Sequence, residues 1–89
     1  MRFSWDLSKD LLNQRDHGIT FQEATTVFGD SLAVTVSDPD HSVGEERFIT
    51  IGQSSSGRLL VVCHIEQGDT IRIISARRPT AHERKDYET

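Results

Sequence analysis

The side chains best suited to chemistry in this sequence are basic, and they are concentrated near its end. Five of the ten Lys and Arg residues lie within residues 71–85, where Glu83 is the only acid. The planar guanidinium of Arg donates to two oxygens of one phosphate at once. The cluster therefore indicates an anion-binding corner, and the anion we expect is an RNA phosphate. The alternative is a set of solvated surface charges paired with nearby acids. The five residues are Arg72, Arg77, Arg78, Arg84 and Lys85.

The elements predicted around this cluster also favour an anion. The segment "TIRIISA" (70–76) is typical of a strand, and Thr80 with Glu83 forms a capping box that opens a short helix at about 81–87. A helix N-terminus presents unpaired N–H groups and the positive end of the helix dipole, so it attracts anions. Arg47 and Arg58 each begin a predicted strand and could reach the corner across the sheet.

The remaining elements predict one α+β domain over residues 1–89. Ser8 is expected to cap a first helix that ends at His17, with Gly18 in a left-handed conformation. A second capping box, Thr20 with Glu23, opens a helix that ends at Gly29. "RFSW" (2–5) is a weakly signalled edge strand. The expected fold has two N-terminal helices packed on a four-stranded antiparallel β-meander, followed by the short C-terminal helix. The four strands are predicted at 32–36, 47–52, 58–65 and 70–76.

Charge and cysteine content limit the class of protein. The net charge of −4 argues against non-specific nucleic-acid binding, and residues 23–46 contain six acids and no Lys or Arg. The chain is therefore expected to have an acidic end, suited to a cationic partner, and a basic end. The lone Cys63 cannot form an internal disulfide, and no secretion signal or membrane span is apparent, so a cytoplasmic location and no membrane partner are expected.

The histidines and acids do not indicate a metal or cofactor site. No pair of His residues has the spacing of zinc ligands, and nucleotide-binding glycine motifs are absent, so no metal and no cofactor is predicted. His17 is expected to cap a helix and His64 to pack in a strand. His82 lies in the first turn of the last helix, where it could exchange protons beside the Arg cluster. A weaker alternative is a metal-dependent enzyme that uses the acidic loop 38–46.

Several sequence blocks together resemble the BrnT family of toxins from type II toxin–antitoxin systems. They are "WDxxK" at Trp5, "HGITFQEATTVFGD" (17–30), "EERFITIG" (45–52) and "IRIISARRPTAHERKDYE" (71–88), and they cover nearly the whole chain in order. The resemblance implies a RelE/ParE-like fold and an endoribonuclease. It also implies a protein antitoxin of the ribbon-helix-helix (BrnA) type, which would bind DNA itself and contact the toxin directly.

The resemblance implies specific roles for the basic cluster. Metal-independent RNA cleavage uses the 2′-OH as nucleophile, with a base, an acid and cations that stabilise the phosphorane. Charge stabilisation is expected from Arg72 and Arg77, and proton transfer from His82, Glu83 or Tyr87, among which the sequence does not choose. The residues expected to position RNA are Arg47, Arg58, Arg78, Arg84 and Lys85.

A non-catalytic function is the main alternative to an RNA-cleaving toxin. The same charge asymmetry suits a module that binds a ribbon-helix-helix protein and adjusts its grip on DNA. This chain departs from the pattern of the BrnT family at two places. Relatives often carry Ala at the position of Pro79, after Arg78, and they have a more basic segment at the position of "RDHG" (15–18).

Overall fold

The computed structural model describes residues 1–42 and 44–88 of the chain. The described residues form five strands and three α-helices, and two short 3₁₀ turns follow α2 and β2. None of the helices in the described ranges is long and apolar enough to cross a membrane. The elements are β1 (Arg2–Trp5), α1 (Leu7–His17), α2 (Phe21–Thr25), a 3₁₀ turn (Thr26–Gly29), β2 (Val34–Ser37), a 3₁₀ turn (Pro39–His41), β3 (Arg47–Gln53), β4 (Leu59–Gln67), β5 (Thr70–Arg77) and α3 (Ala81–Glu88).

The strands form a single mixed sheet in the order β1-β5-β4-β3-β2. Strands β2 to β5 make the antiparallel meander that the sequence predicted. The prediction of only four strands is wrong, because β1 pairs in parallel with the other edge of β5, from Arg2 opposite Thr70 to Trp5 opposite Ile73. Phe3 and Trp5 pack against the core, so burial of these aromatic side chains accompanies the extra strand.

The first helix begins earlier than its sequence predicted. Asp6, not Ser8, is the N-cap: its Oδ1 accepts hydrogen bonds from the backbone N–H groups of Ser8 (2.9 Å) and Lys9 (3.2 Å). A cap two residues nearer to β1 lets the strand turn directly into the helix. The left-handed Gly18 ends α1 as expected, with a φ of 68°. Leu11 and Leu12 are exposed, and the buried residue of α1 is Asn13.

The core lies between α1, α2 and one face of the sheet. Its buried side chains come from the α1–α2 connection, from α2 with the following turn, and from alternate positions of β4 and β5. The opposite face of the sheet, here called the open face, is covered only in part, by α3. The core residues are Ile19, Phe21, Ala24, Val27, Leu60, Val62, Ile71, Ile73 and Ala76.

A β-bulge interrupts the pairing of β4 with β5. His64 pairs with Ile73, but its neighbour Cys63 pairs with Ser75, so Ile74 has no partner on β4. An extra residue in one strand reverses the in–out alternation beyond it. The bulge therefore decides which side chains of the C-terminal half of β5 reach the open face.

Candidate nucleic-acid interface

The bulge places Arg72 and Arg77 on the same face of the sheet. Residues five apart in a regular strand point to opposite faces. Here Arg72 pairs with Ile65 and Arg77 with Val61, and those two residues of β4 are four apart, so they share a face. Both arginines follow a core residue of β5 directly, which leaves the open face for their side chains.

Arg47 joins Arg72 in one row across the open face. Ile65 of β4 pairs with Arg47 on β3 and with Arg72 on β5. Although Ile65 lies on the open face, it is only 4% exposed. Arg47 and Arg72 flank Ile65 on the two neighbouring strands, and long cationic side chains in such positions can lay their methylenes over apolar surface. The Nε of Arg47 is buried and has no hydrogen-bond partner within residues 1–42 and 44–88.

The row that contains Arg77 lies at the other end of the open face. Val61 and Ile65 are four residues apart on β4, which corresponds to about 13 Å along the strand. Between the rows, Cys63 of β4 pairs with Ser75 of β5, and both are partly exposed. The open face thus presents cations at both ends of a shallow floor that contains a thiol and a hydroxyl.

The expected anion corner is occupied by a carboxylate of the chain itself. Glu83 Oε1 and Oε2 accept hydrogen bonds from Arg77 Nη1 (2.7 Å) and Nη2 (2.9 Å). Glu83 Oε1 also accepts from the Thr80 N–H (2.9 Å), and Thr80 Oγ1 accepts from the Glu83 N–H (3.2 Å). The Arg77 guanidinium, aided by the Thr80 backbone, lowers the pKa of Glu83 to about 2. The corner therefore binds an oxygen pair, and in this state the anion is Glu83.

Tyr87 fixes the far end of α3 above the sheet. Its hydroxyl donates to Asp30 Oδ2 at 2.5 Å, and Asp30 also accepts from the backbone N–H groups of Gln53 (2.8 Å) and Leu32 (2.9 Å). The Gln53 N–H is the largest influence that lowers the pKa of Asp30, and the bond to Asp30 raises the pKa of Tyr87. The Tyr87 hydroxyl is therefore protonated at neutral pH, and its hydrogen bond to Asp30 holds α3 in place.

The other predicted residues of α3 and its approach lie on exposed surface. The His82 side chain is 84% exposed, and its Nε2 lies 3.5 Å from Asp86 Oδ2. Arg78, Arg84 and Lys85 are exposed as well. The backbone carbonyl of Arg78 accepts a hydrogen bond from Arg77 Nη1 at 3.3 Å.

Arg58 lies away from this group and joins β4 to α2. Its Nε and Nη2 donate to Glu23 at 2.8 and 2.6 Å, and Nη2 also donates to the Gly18 carbonyl at 3.0 Å. Ser54 and Ser56 donate to the same carboxylate. The hydrogen bonds from Arg58, and then those from Ser56 and Ser54, lower the pKa of Glu23 to about 2 against the opposing effect of burial. These contacts give Arg58 a structural role.

Asn13 is a positioning residue that the sequence analysis missed. From α1 its Nδ2 donates to the carbonyls of Ile19 and Ala76, both at 2.9 Å, and its Oδ1 accepts from the Ala76 N–H at 3.1 Å. Ala76 directly precedes Arg77, so α1 fixes the backbone of β5 just after the bulge. The one available signal was a polar Asn inside a helix, where its intrinsic preference is low.

The geometry favours anion binding over metal binding. Within residues 1–42 and 44–88, no group of three or more His, Cys, Asp or Glu side chains could hold a metal ion.

The family profile described as "Ribonuclease toxin, BrnT, of type II toxin-antitoxin system" matches residues 5–83. The chain belongs to this BrnT family. The match runs from Trp5, the last residue of β1, through the bulge to Glu83.

A solved structure supports the fold of this BrnT-family chain. The crystal structure of the Brucella abortus ribonuclease toxin BrnT is similar to it with a TM-score of 0.65, at 20% identity, over 90% of this chain and 97% of the Brucella chain. A likeness at this identity concerns the fold alone. A comparison with curated proteins gives no match.

Proposed function

We propose that this BrnT-family toxin is a metal-independent endoribonuclease whose active surface is the open face of the sheet. The observation that supports it most directly is the bulge at Ile74, which brings Arg72 and Arg77 to one face. Arg47 extends the same surface across β3. Three guanidinium groups around a shallow floor suit an extended single strand, whose phosphates follow one another along a groove.

The proposed reaction is an internal transfer at phosphorus. A base takes the proton of the ribose 2′-OH, and the 2′-oxygen attacks the adjacent phosphorus. The bond from phosphorus to the 5′-oxygen breaks, and an acid protonates that oxygen. The products are a 2′,3′-cyclic phosphate and a 5′-OH. Arg72 and Arg77 would stabilise the charge on the phosphorane oxygens, where a well-placed donor contributes about 3 kcal/mol.

The Arg77–Glu83 pair suggests how the base is produced. While both carboxylate oxygens of Glu83 accept from Arg77, the carboxylate is a weak base with a pKa of about 2. A phosphate that draws Arg77 away removes the main cause of that low pKa. Glu83 then regains basicity beside the bound RNA and accepts the 2′-OH proton.

The leaving oxygen then requires a proton donor near the same turn of α3. His82 precedes Glu83 in the chain and is exposed to an incoming strand. The Tyr87 hydroxyl already donates to Asp30. We therefore assign the acid to His82 and give Tyr87 the role of positioning α3. Exposed Arg78, Arg84 and Lys85 are assigned to RNA positioning, and Arg58 is left out because Glu23 occupies it.

The proposed setting is a cytoplasmic type II system with a ribbon-helix-helix antitoxin. The toxin would contact DNA only through that antitoxin. The acidic character of residues 23–46 supports a cationic protein partner.

RNA cleavage by purified protein tests the proposal. We expect wild type to cleave single-stranded RNA in EDTA and to leave 2′,3′-cyclic phosphate ends. Arg72→Ala and Arg77→Ala should each lower kcat by about 10²-fold. Arg15→Ala is the matched control, because Arg15 is 70% exposed on α1 and its Nε donates to the neighbouring Asp16. Equal cleavage by wild type and both variants would remove the open face from the mechanism.

One observation favours the non-catalytic alternative, a module that binds a ribbon-helix-helix protein. Glu83 already fills the anion corner, so the corner is satisfied without RNA. Glu83→Gln separates the two functions. For a nuclease, removing the competing charge should tighten RNA binding while kcat falls. For a binding module, neither wild type nor Glu83→Gln cleaves RNA, although both bind the partner.

A further inference from the structure

The edge strand β2 and the groove between it and α3 lie beside the proposed RNA site and share residues of α3 with it, while Val34 and Val36 have no role in the proposed cleavage. Val34 and Val36 project from β2 onto the open face next to Ile51 and Ile49 of β3. The two valines are 47% and 51% exposed. A groove separates these four side chains from α3, which lines its other wall.

The backbone of β2 is also available for pairing. In the sheet β2 is the last strand, and all four of its residues are exposed. Within the described residues its outer edge has no neighbouring strand. An exposed edge strand beside an apolar groove is the arrangement to which an extended segment of another chain adds, with backbone hydrogen bonds and alternate side chains in the groove.

The charged side chains around the groove indicate what kind of peptide segment would bind there. Glu83 and Asp86 of α3 line it, while Asp38 and Asp40 directly follow the end of β2. Asp30 lies before the strand and holds Tyr87 at the groove's end. A second copy of this chain would bring the same acids against themselves. Asp38 is buried beside His41 and Glu83 is paired with Arg77, so a cationic segment would gain mainly from Asp40 and Asp86, whose side chains are exposed.

We propose that the antitoxin adds an extended, cationic segment to the outer edge of β2 and inserts its apolar side chains between β2 and α3. This inference rests on the antitoxin partner of the proposed function and does not depend on RNA cleavage. The segment would have alternating apolar residues that continue the row of Val34 and Val36, and Lys or Arg at its ends. By contacting α3 it would also restrain the helix that carries Glu83.

The binding test uses the antitoxin encoded beside the toxin gene, purified separately, as the probe. Val36→Lys should raise its Kd by at least about tenfold, because it places a charge in the groove and repels a cationic segment. Val36→Thr preserves side-chain shape and strand preference, and should weaken binding in the same direction but less. Leu11→Lys is the control, since Leu11 is 58% exposed on α1, on the other side of the sheet. Wild-type affinity should also fall as salt rises.

Three readouts make the proposal refutable. Hydrogen exchange should show new protection of β2 amides in the complex. Val36→Lys toxin should keep the RNA cleavage of wild type when alone, yet resist inhibition by the antitoxin. Unchanged affinity of folded Val36→Lys, an equal loss in Leu11→Lys, or unprotected β2 amides would each overturn the proposal. The proposal would also be overturned if the wild-type toxin formed homodimers that the Val36→Lys substitution dissociated. If wild type cleaves no RNA, the proposed function fails while the binding and exchange results still decide this surface.

Discussion

Acid should destabilise the fold through His64, a histidine that is buried in its neutral form. Its ring is 0% exposed, stacks against Phe48 at a centroid distance of 5.9 Å, and meets Phe28 edge-on at 5.0 Å. Nε2 shares a hydrogen bond of 2.7 Å with Thr50 Oγ1, while Nδ1 is buried and has no hydrogen-bond partner among the residues that the structure describes. Burial lowers the pKa of His64 from 6.5 to about 4. A proton added to Nδ1 would therefore be charged and unpaired in the core.

The size of the effect follows from the difference in proton affinity between the two states. A folded pKa near 4 and an unfolded pKa of 6.5 mean that the unfolded chain binds the proton first as pH falls. The stability that neutral His64 contributes is complete above pH 6.5 and decreases below it. The expected loss is about 2 kcal/mol at pH 5 and about 3 kcal/mol at pH 4.

Urea unfolding at pH 7 and pH 5, followed by Trp5 fluorescence, measures this loss. Wild type should lose about 2 kcal/mol more than His64→Gln between the two pH values. His17→Gln, at an exposed histidine, should keep the wild-type pH dependence. Glu23 and Glu83 do not contribute to the change in stability between pH 7 and pH 5. Their pKa values are lowered to about 2, so the stabilisation linked to them is present above pH 4.5 and decreases only below it.

An equal pH dependence in wild type and His64→Gln would refute this reasoning. It would mean that the folded protein protonates His64 as readily as the unfolded chain does. Water or a rearranged side chain would then have to reach Nδ1, and the core around β4 would be less closed than its 0% exposure implies.

Three further substitutions test the contacts that hold the sheet to its helices. Asn13→Ala should lower the free energy of unfolding by about 3 kcal/mol in urea titrations, because it leaves the buried N–H and carbonyl of Ala76 unpaired. Gly52→Ala should cost about 1–3 kcal/mol, seen as a lower Tm, because a Cβ there would lie 3.0 and 3.1 Å from neighbouring atoms. Arg58→Ala should lower the free energy of unfolding only modestly at neutral pH, since its pair with Glu23 is partly exposed. That difference should shrink in unfolding experiments below pH 4.5, where Glu23 begins to lose the stabilisation linked to its low pKa.

Local signals predicted most of the elements correctly. The reciprocal bonds of Thr80 and Glu83 confirm the last capping box, and the left-handed Gly18 ends α1 at the predicted residue. Each of these features depends on residues within four positions of one another. Alternation of apolar residues likewise located β3, β4 and β5 to within one or two residues. The Thr20 cap is correct, but the Glu23 side chain binds Ser54, Ser56 and Arg58 in the β3–β4 connection, which the local pattern does not contain.

The features that decide the candidate site depend on distant parts of the chain. The parallel pairing of β1 with β5 joins residues 68 positions apart. The bulge is visible only in the register of β5 against β4, because nothing in "IRIISAR" separates Ile74 from its neighbours. Arg58 illustrates the same limit: its position before a strand suggested RNA binding, while its partner Glu23 lies 35 residues earlier. The spacing of charged residues in the sequence predicted which strand or helix carries each of them, but not on which face of the sheet the side chain lies.

The bulge and Asn13 together explain how a regular sheet can carry two arginines five residues apart on one face. Without the extra residue, β5 would turn Arg77 toward the core, where its charge would have to leave water among apolar side chains. With it, Ala76 takes the core position and Asn13 fixes its N–H and carbonyl from α1. The Arg77 guanidinium is then free to meet the start of α3, where Glu83 compensates its charge until another anion competes. The stability of that pair therefore sets how strongly a phosphate must bind to displace Glu83, which links the strand irregularity to the chemistry proposed for the open face.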